Sequence, residues 1–204
     1  HDSLINEIYA ACKLQMIEAD TTISEAGLGQ FEINLVHSHD AMKAADDAAF
    51  FKQIAKGVAR KYGLAASFMA KPYADRPGNG MHLHISLVDG KGKNVFDDGS
   101  DAGSPVLGHG LAGALAGLAD SMLIFAPHQN SYRRFAIESH APMAVCWGYE
   151  NRTAALRVPL GPPSQRRIEH RVSGADANPY LVLAAILGAI LNGLEDQQPP
   201  PPPI

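Results

Sequence analysis

Met81-His82-Leu83-His84-Ile85-Ser86-Leu87-Val88 is the stretch on which the fold turns. A strand sends alternate side chains to opposite faces. Met81, Leu83, Ile85 and Leu87 therefore share one side, and His82, His84 and Ser86 share the other. Asp89-Gly90 follows as a hairpin-type turn toward Asn94-Val95-Phe96. Two other segments repeat the pattern. Residues 30–35 put Gln30, Glu32 and Asn34 opposite Phe31, Ile33 and Leu35. Residues 167–172 put Arg167, Glu169 and Arg171 opposite Ile168, His170 and Val172. A merely solvated sheet face carries Thr, Lys and Ser. This one carries imidazoles, carboxylates and guanidiniums.

Outward from these strands, residues 4–16 read as a short amphipathic helix. Residues 39–62 read as a long helix, with Ser38 or Asp40 as N-cap and Gly63 past its end. Residues 64–70 read as a buried strand closed by Lys71-Pro72, and residues 108–125 as one buried helix whose small residues allow close packing. Further strands are expected at 143–149 and 153–158, separated by a polar Glu150-Asn151 turn. A last helix is expected from Pro179 to about Glu195. The expected organisation is one unit over residues 1–196 and a Pro-rich tail, 197–204, that cannot extend the helix.

Composition narrows the function classes. The 204 residues carry 17 Lys+Arg against 21 Asp+Glu, a net charge of −4 without a basic block, which argues against a nucleic-acid binder. No apolar run reaches about 18 residues, so a membrane span is not expected. Cys12 and Cys146 lie far apart without CxxC spacing, as reduced cytoplasmic thiols do. The chain opens on His1 with neither signal peptide nor initiator Met, and reads as a piece of something longer. Alone, His-x-His is surface decoration and Arg-x-Glu-x-Arg an ion-pair ladder. Together, beside a Gly-rich loop and further arginines at 134, 152 and 157, they suit hard divalent cations and phosphoryl groups. The chemistry so read is phosphoryl transfer.

At these residues the chain resembles the catalytic domain of the glutamine synthetase family. The resemblance is carried by Pro77-Gly78-Asn79-Gly80-Met81-His82-Leu83-His84, by Asn130-Ser131-Tyr132-Arg133-Arg134 and by Glu150-Asn151-Arg152-Thr153 through Pro159. It is carried also by Arg166-Arg167-Ile168-Glu169-His170-Arg171, by Ala177-Asn178-Pro179-Tyr180-Leu181 and by the Glu25 to Glu32 segment. These motifs stand in family order over nearly the whole chain. The resemblance implies an α+β fold, a curved antiparallel sheet flanked by helices. It implies an ATP-dependent ligase that activates the γ-carboxylate of glutamate as an acyl phosphate for attack by a nitrogen nucleophile. By motif, Glu25 and Glu32 would hold one Mg²⁺ or Mn²⁺, and His82 and Glu169 a second. His84, Ser86, Arg157 and Arg167 match nucleotide positions, and Gly78, Arg134 and Arg171 match glutamate positions. Arg152 matches the residue that stabilises the transferring phosphoryl group.

Two departures shape the expectation. Ammonia-using members carry a Glu six residues beyond the position of Arg134, where this chain has His140, in Glu138-Ser139-His140. With Cys146-Trp147-Gly148-Tyr149 and Arg76-Pro77-Gly78, this looks more like the γ-glutamylpolyamine synthetase branch, in which the nucleophile is an organic amine. The family's N-terminal domain, with further metal carboxylates, has no counterpart here. The chain alone is therefore expected to be inactive, and the complete protein a homo-oligomer. An ammonia-using glutamine synthetase and a glutamine synthetase-like structural or regulatory protein remain as alternatives. The grouping of Glu25, Glu32, His82, Glu169, Arg152 and Arg171 speaks against a decayed site.

Overall fold

A computed structural model describes residues 2–137 and 139–204. Helix α1 (Asp2–Leu14) places Ile8 and Cys12 on one inward face, four residues apart. Strands β1 (Ala19–Ser24) and β2 (Phe31–Leu35) pair antiparallel as a two-stranded ribbon, which carries Glu25 in its turn and Glu32 on β2. Helix α2 (Ala41–Lys61) begins at Asp40, whose carboxylate accepts from the Met42 and Lys43 N–H groups, and stops before Gly63 at φ +68°. Ile8, Cys12, Ile17, Ile54, Ala55 and Val58 form the core of this first half.

The second half is a four-stranded sheet over two long helices. Strand β3 (Leu83–Ile85) is followed by helix α3 (Pro105–Ala116) and two short helices, α4 (Met122–Phe125) and α5 (Gln129–Tyr132). Strands β4 (Trp147–Tyr149), β5 (Leu156–Val158) and β6 (Ile168–His170) come next, and helix α6 (Pro179–Asp196) closes the fold. The strand order is β3-β6-β5-β4. Ile85, Leu156, Val158 and Ile168 pack from the sheet onto Leu107, Leu111, Val182, Ile186 and Ile190 of the helices. Cross-strand partners share a face. His84, Glu169 and Arg157 stand in one row on the side away from the helices, and Leu83, His170 and Leu156 form the row beside it.

Several expectations need correction. Residues 64–70 are extended, with Ala66, Phe68 and Ala70 turned inward, but among the described residues they belong to no ladder; Leu64 and Met69 are exposed. Alternation fixes a direction for side chains, whereas a strand also needs a partner edge. The helix expected at 108–125 starts earlier, at Pro105, because Ser104 caps the Leu107 N–H. It breaks at Gly117 before α4. The ladders are shorter than the alternating segments that contain them, and β1 is a strand that the sequence pattern does not predict. Residues 150–155 between β4 and β5 do not close a hairpin: the two strands pair in parallel, Trp147 with Leu156 and Tyr149 with Val158. In the hairpin after β3 the left-handed residue is Gly92, at φ +79°, not Gly90.

Helix α6 runs 18 residues with mean hydropathy 1.3, long and apolar enough by length and composition to cross a membrane, although Asn192, Glu195 and Asp196 interrupt its apolar run. Its apolarity is used against α3: Gly113 and Gly193 bring the two backbones so close that a Cβ on Gly113 would lie 2.2 Å from the Ala189 carbonyl oxygen. After Gln197, in left-handed conformation, the five prolines return across the sheet edge. Trp147 Nε1–H donates to the Pro201 carbonyl at 2.7 Å, and the Ile204 N–H to the Trp147 carbonyl at 3.0 Å.

Candidate active site

Glu169 is the centre of the polar face. Its chain neighbours Ile168 and His170 are driven into the core, so strand geometry turns Glu169 the other way. There it is 2% exposed, and a buried carboxylate must be paired. Arg171 Nη1 donates to Oε1, Arg157 Nη1 donates to Oε2 at 2.7 Å, and His82 Nδ1 lies 3.4 Å from Oε1. Burial pushes the Glu169 carboxyl up, but Arg171, His82, His84 and the Arg157 hydrogen bond together hold it below the ordinary carboxylate value.

His82 precedes β3. Burial lowers its imidazole to about 3, with Arg171 adding to the effect and Glu169 opposing it. It is thus neutral at physiological pH, with a ring lone pair free of a proton. His84 Nδ1 accepts from Arg167 Nε at 3.0 Å, which fixes the His84 tautomer with its proton on Nε2. Glu32 is half-buried. Burial, then repulsion from Glu25 and from Glu169, raises its carboxyl above the ordinary value. The ribbon that carries Glu25 and Glu32 is tied to the loop feeding His82 by Gln30, whose Nε2 donates to the Gly78 carbonyl at 2.9 Å and to Asn79 Oδ1 at 2.7 Å.

Among the described residues, no group of three or more His, Cys, Asp or Glu side chains closes around one point as a metal cage. Two guanidiniums engage Glu169 instead. The donor chemistry nevertheless fits a hard divalent cation: the carboxylates of Glu25 and Glu169 raise the cost of charge on Glu32, beside one neutral imidazole.

The other expected residues fall in two groups. Gly78 is pressed between the Ala70 carbonyl and Arg134, so that a Cβ would lie 2.6 Å from that oxygen. Arg134 is buried; its terminal nitrogens donate to the Val172 carbonyl at 2.7 Å and the Arg171 carbonyl at 3.0 Å, so in this state it braces the strand that carries the site. Burial, reinforced by Arg171, lowers its guanidinium to about 10. Arg152 is exposed, and its carbonyl accepts from Arg171 Nε at 3.2 Å. Ser86 and His140 are exposed, the latter in the 136–145 loop, where Glu138 lies outside the described residues. Two further residues, to which the sequence assigns no site role, contribute. Gln30 is the tether just described. Glu150, which the sequence reading places in a polar turn and at the head of a family motif without a site role, accepts from Arg157 Nη2 at 3.1 and 3.0 Å. Its place in the Glu150-Asn151-Arg152 motif was the available signal.

Comparison with known proteins gives the family. Residues 1–204 match the family described as glutamine synthetase, catalytic domain. The chain is 46% identical over 196 residues to gamma-glutamylputrescine synthetase PuuA of Escherichia coli (strain K12), covering 96% of this chain and 42% of that protein. It is 41% identical over 210 residues to the glutamate–isopropylamine ligase of Pseudomonas sp, covering 100% and 46%. It is 42% identical over 176 residues to a glutamine synthetase of Pyrococcus furiosus (strain ATCC 43587 / DSM 3638 / JCM 8422 / Vc1), covering 86% and 39%. Among solved structures, GmaS in complex with ADP superposes with a TM-score of 0.89 at 34% identity, over 99% of this chain and 47% of that one. The ligand-free form of GmaS gives 0.88 at 34% identity, over 99% and 46%. The chain spans less than half the length of the relatives it matches.

Proposed function

The chain belongs to the glutamine synthetase family, and from that membership we propose that the protein containing it is an ATP-dependent ligase joining the γ-carboxylate of glutamate to an organic amine. In the first step a glutamate γ-carboxylate oxygen forms a bond to the γ-phosphorus of ATP as the bond to ADP breaks. In the second, the amine nitrogen attacks the acyl carbon, phosphate leaves, and the nitrogen loses a proton. Glu25 and Glu32 would hold one divalent cation, and His82 and Glu169 the other. Bound there, Mg²⁺ or Mn²⁺ supplies neutralisation of charge on the phosphoryl oxygens. Neutral His82 offers its lone pair without first losing a proton. His84 and Arg157 flank Glu169 in its row and, with Arg167, take the nucleotide phosphates, with Ser86 two residues beyond His84. Arg171, Arg134 and the close backbone at Gly78 hold glutamate in line with the phosphorus, which supplies proximity. Arg152, exposed above Arg171, reaches the transferring group.

The observation that carries this reading is the meeting of Glu169, His82, Arg157 and Arg171 on one sheet face, with Glu32 in electrostatic reach. An organic amine rather than ammonia is favoured by His140 at the flap position and by the amine-ligase relatives. We place the protein in the cytoplasm, where the free thiols Cys12 and Cys146 stay reduced. We read residues 1–196 as the catalytic unit with 197–204 as the segment leaving it, and the complete protein as a homo-oligomer. Leu28, Leu123 and Ile137, exposed at 93%, 77% and 87%, are consistent with surfaces covered in an assembly.

The test is ATP- and glutamate-dependent phosphate release by the complete protein with putrescine, isopropylamine, ethanolamine or ammonium, the product identified by mass. An organic amine should exceed ammonium in kcat/KM by more than about tenfold. Preference for ammonium would make it an ordinary glutamine synthetase. No glutamate-dependent turnover with any nucleophile would leave the structural reading.

A further inference from the structure

Glu150 follows the last residue of β4 with φ +52°, a left-handed conformation that is strained for an L-residue. Its side chain explains why that conformation is kept. The carboxylate accepts from the Leu160 N–H and from Arg157 Nη2, while Arg157 Nη1 donates to Glu169. One guanidinium thus bridges two carboxylates. The Glu150 side chain is 41% exposed at the rim, and that of Glu169 is 3% exposed below it. Among the described residues Arg157 Nε is buried without a hydrogen-bond partner, so these two carboxylates set the direction of the guanidinium.

We propose that Glu150 is a positioning residue: it holds Arg157 at the rim and draws part of its charge away from Glu169, leaving Glu169 open to a divalent cation. The proposal rests on the ligase reading, in which Glu169 binds a cation and Arg157 a phosphate. A cation and Arg157 compete for the same carboxylate. With Glu150 ionised, the guanidinium keeps an anionic partner when a cation displaces it from Glu169, and Nη1 is freed toward a phosphate oxygen. Without that charge, Arg157 gives its full attraction to Glu169 and resists displacement. A purely structural Glu150, serving only the Leu160 turn, would have no effect that passes through Arg157.

The experiment is a Mn²⁺ titration of the complete protein without nucleotide, followed by electron paramagnetic resonance. Glu150→Gln keeps the shape and removes the charge; its Mn²⁺ Kd should rise about fivefold, the difference between a charged and a neutral acceptor. Arg157→Gln should bind Mn²⁺ more tightly than wild type. In the Arg157→Gln background, Glu150→Gln should change nothing, the non-additivity expected of residues that act through one another. Glu150→Gly, which suits the left-handed backbone, carries the same comparison if the Gln variant does not fold. A single-variant Kd within about twofold of wild type, or a Glu150 effect undiminished without Arg157, overturns the proposal. Wild-type protein that binds no Mn²⁺ overturns the ligase reading along with it.

Discussion

Replacing Gly113 with alanine should destabilise the chain, although the same change in an isolated helix is favourable. A Cβ at Gly113 would lie 2.2 Å from the Ala189 carbonyl oxygen and 2.6 Å from both Gly193 Cα and Gly193 N. Ordinary van der Waals contact begins at 3.4 Å, so the methyl falls about 1 Å short of fitting. The obstruction is backbone on both sides and cannot turn away as a side-chain tip would. Helix α3 must lift from α6, loosening Leu111, Ile186 and Ile190 together. Overpacking of this kind costs about 1–3 kcal/mol, and the gap opened beside it adds to the upper end. The intrinsic gain of alanine over glycine in a helix returns at most about 1 kcal/mol. With the cost at its upper end of about 3 kcal/mol, the net expectation is a loss of about 2 kcal/mol. Gly57→Ala on α2 is the matched control: the position is exposed and a Cβ there has nothing within 4 Å, so only the intrinsic gain remains. It should stabilise by about 0.5–1 kcal/mol. Equilibrium urea unfolding followed by far-UV circular dichroism gives both values, provided the denaturant slope is unchanged. A Gly113→Ala chain as stable as wild type, or a shift of the same sign in both variants, would refute the close-contact argument.

Acid should weaken the fold through His170, whose imidazole is pushed down to about 3 by burial, with Arg134 adding to it. The unfolded chain binds that proton from about pH 6.5 downward and the folded chain does not, so stability is complete above this range and is lost on acidification at up to about 1.4 kcal/mol per pH unit. In His170→Leu the stability–pH slope between pH 6 and 4, about the middle of that window, should flatten; an unchanged slope would place the proton uptake elsewhere. Trp147 is the sole tryptophan, is 5% exposed and is covered by the tail. Ending the chain at Asp196 should red-shift its fluorescence and increase acrylamide quenching, and unaltered emission would mean the tail does not dock. In the complete protein, His140→Glu should raise kcat/KM for ammonium relative to the preferred amine, by about tenfold if the flap charge decides the nucleophile. The 204-residue chain alone should show no glutamate-dependent ATP turnover, and measurable turnover would mean that these residues complete the site unaided.

What could be read from the sequence was local. Asp40 and Gly63 bracket α2, Asn178 and Pro179 open α6, and period-two alternation assigns faces for Glu32, His82 and Glu169, because caps and alternation act within a few residues. Pairing is not local. Residues 64–70 carry a strand's alternation yet join no ladder, and β4 and β5 run parallel although a polar turn lies between them. The break in the 108–125 helix follows from Gly117, which lies in a stretch otherwise apolar enough to hide it. At the site, strand period shows that Glu169 and Arg171 share a face, but not that Arg157 and Arg171 both bind Glu169. Neither the left-handed Glu150 nor its grip on Arg157 has a one-dimensional signature.

Glu169 also bears on how the sheet assembles. It lies on a strand paired along both edges, flanked by Ile168 and His170, which point the other way. Sliding that strand by a single position would force a carboxylate into the greasy layer and stand an isoleucine in water. Misthreaded chains therefore carry their own penalty, and the group that serves chemistry doubles as a proofreader of alignment. An apolar replacement at 169 could yield a sturdier protein, yet one with less to tell it which of two neighbouring threadings is correct.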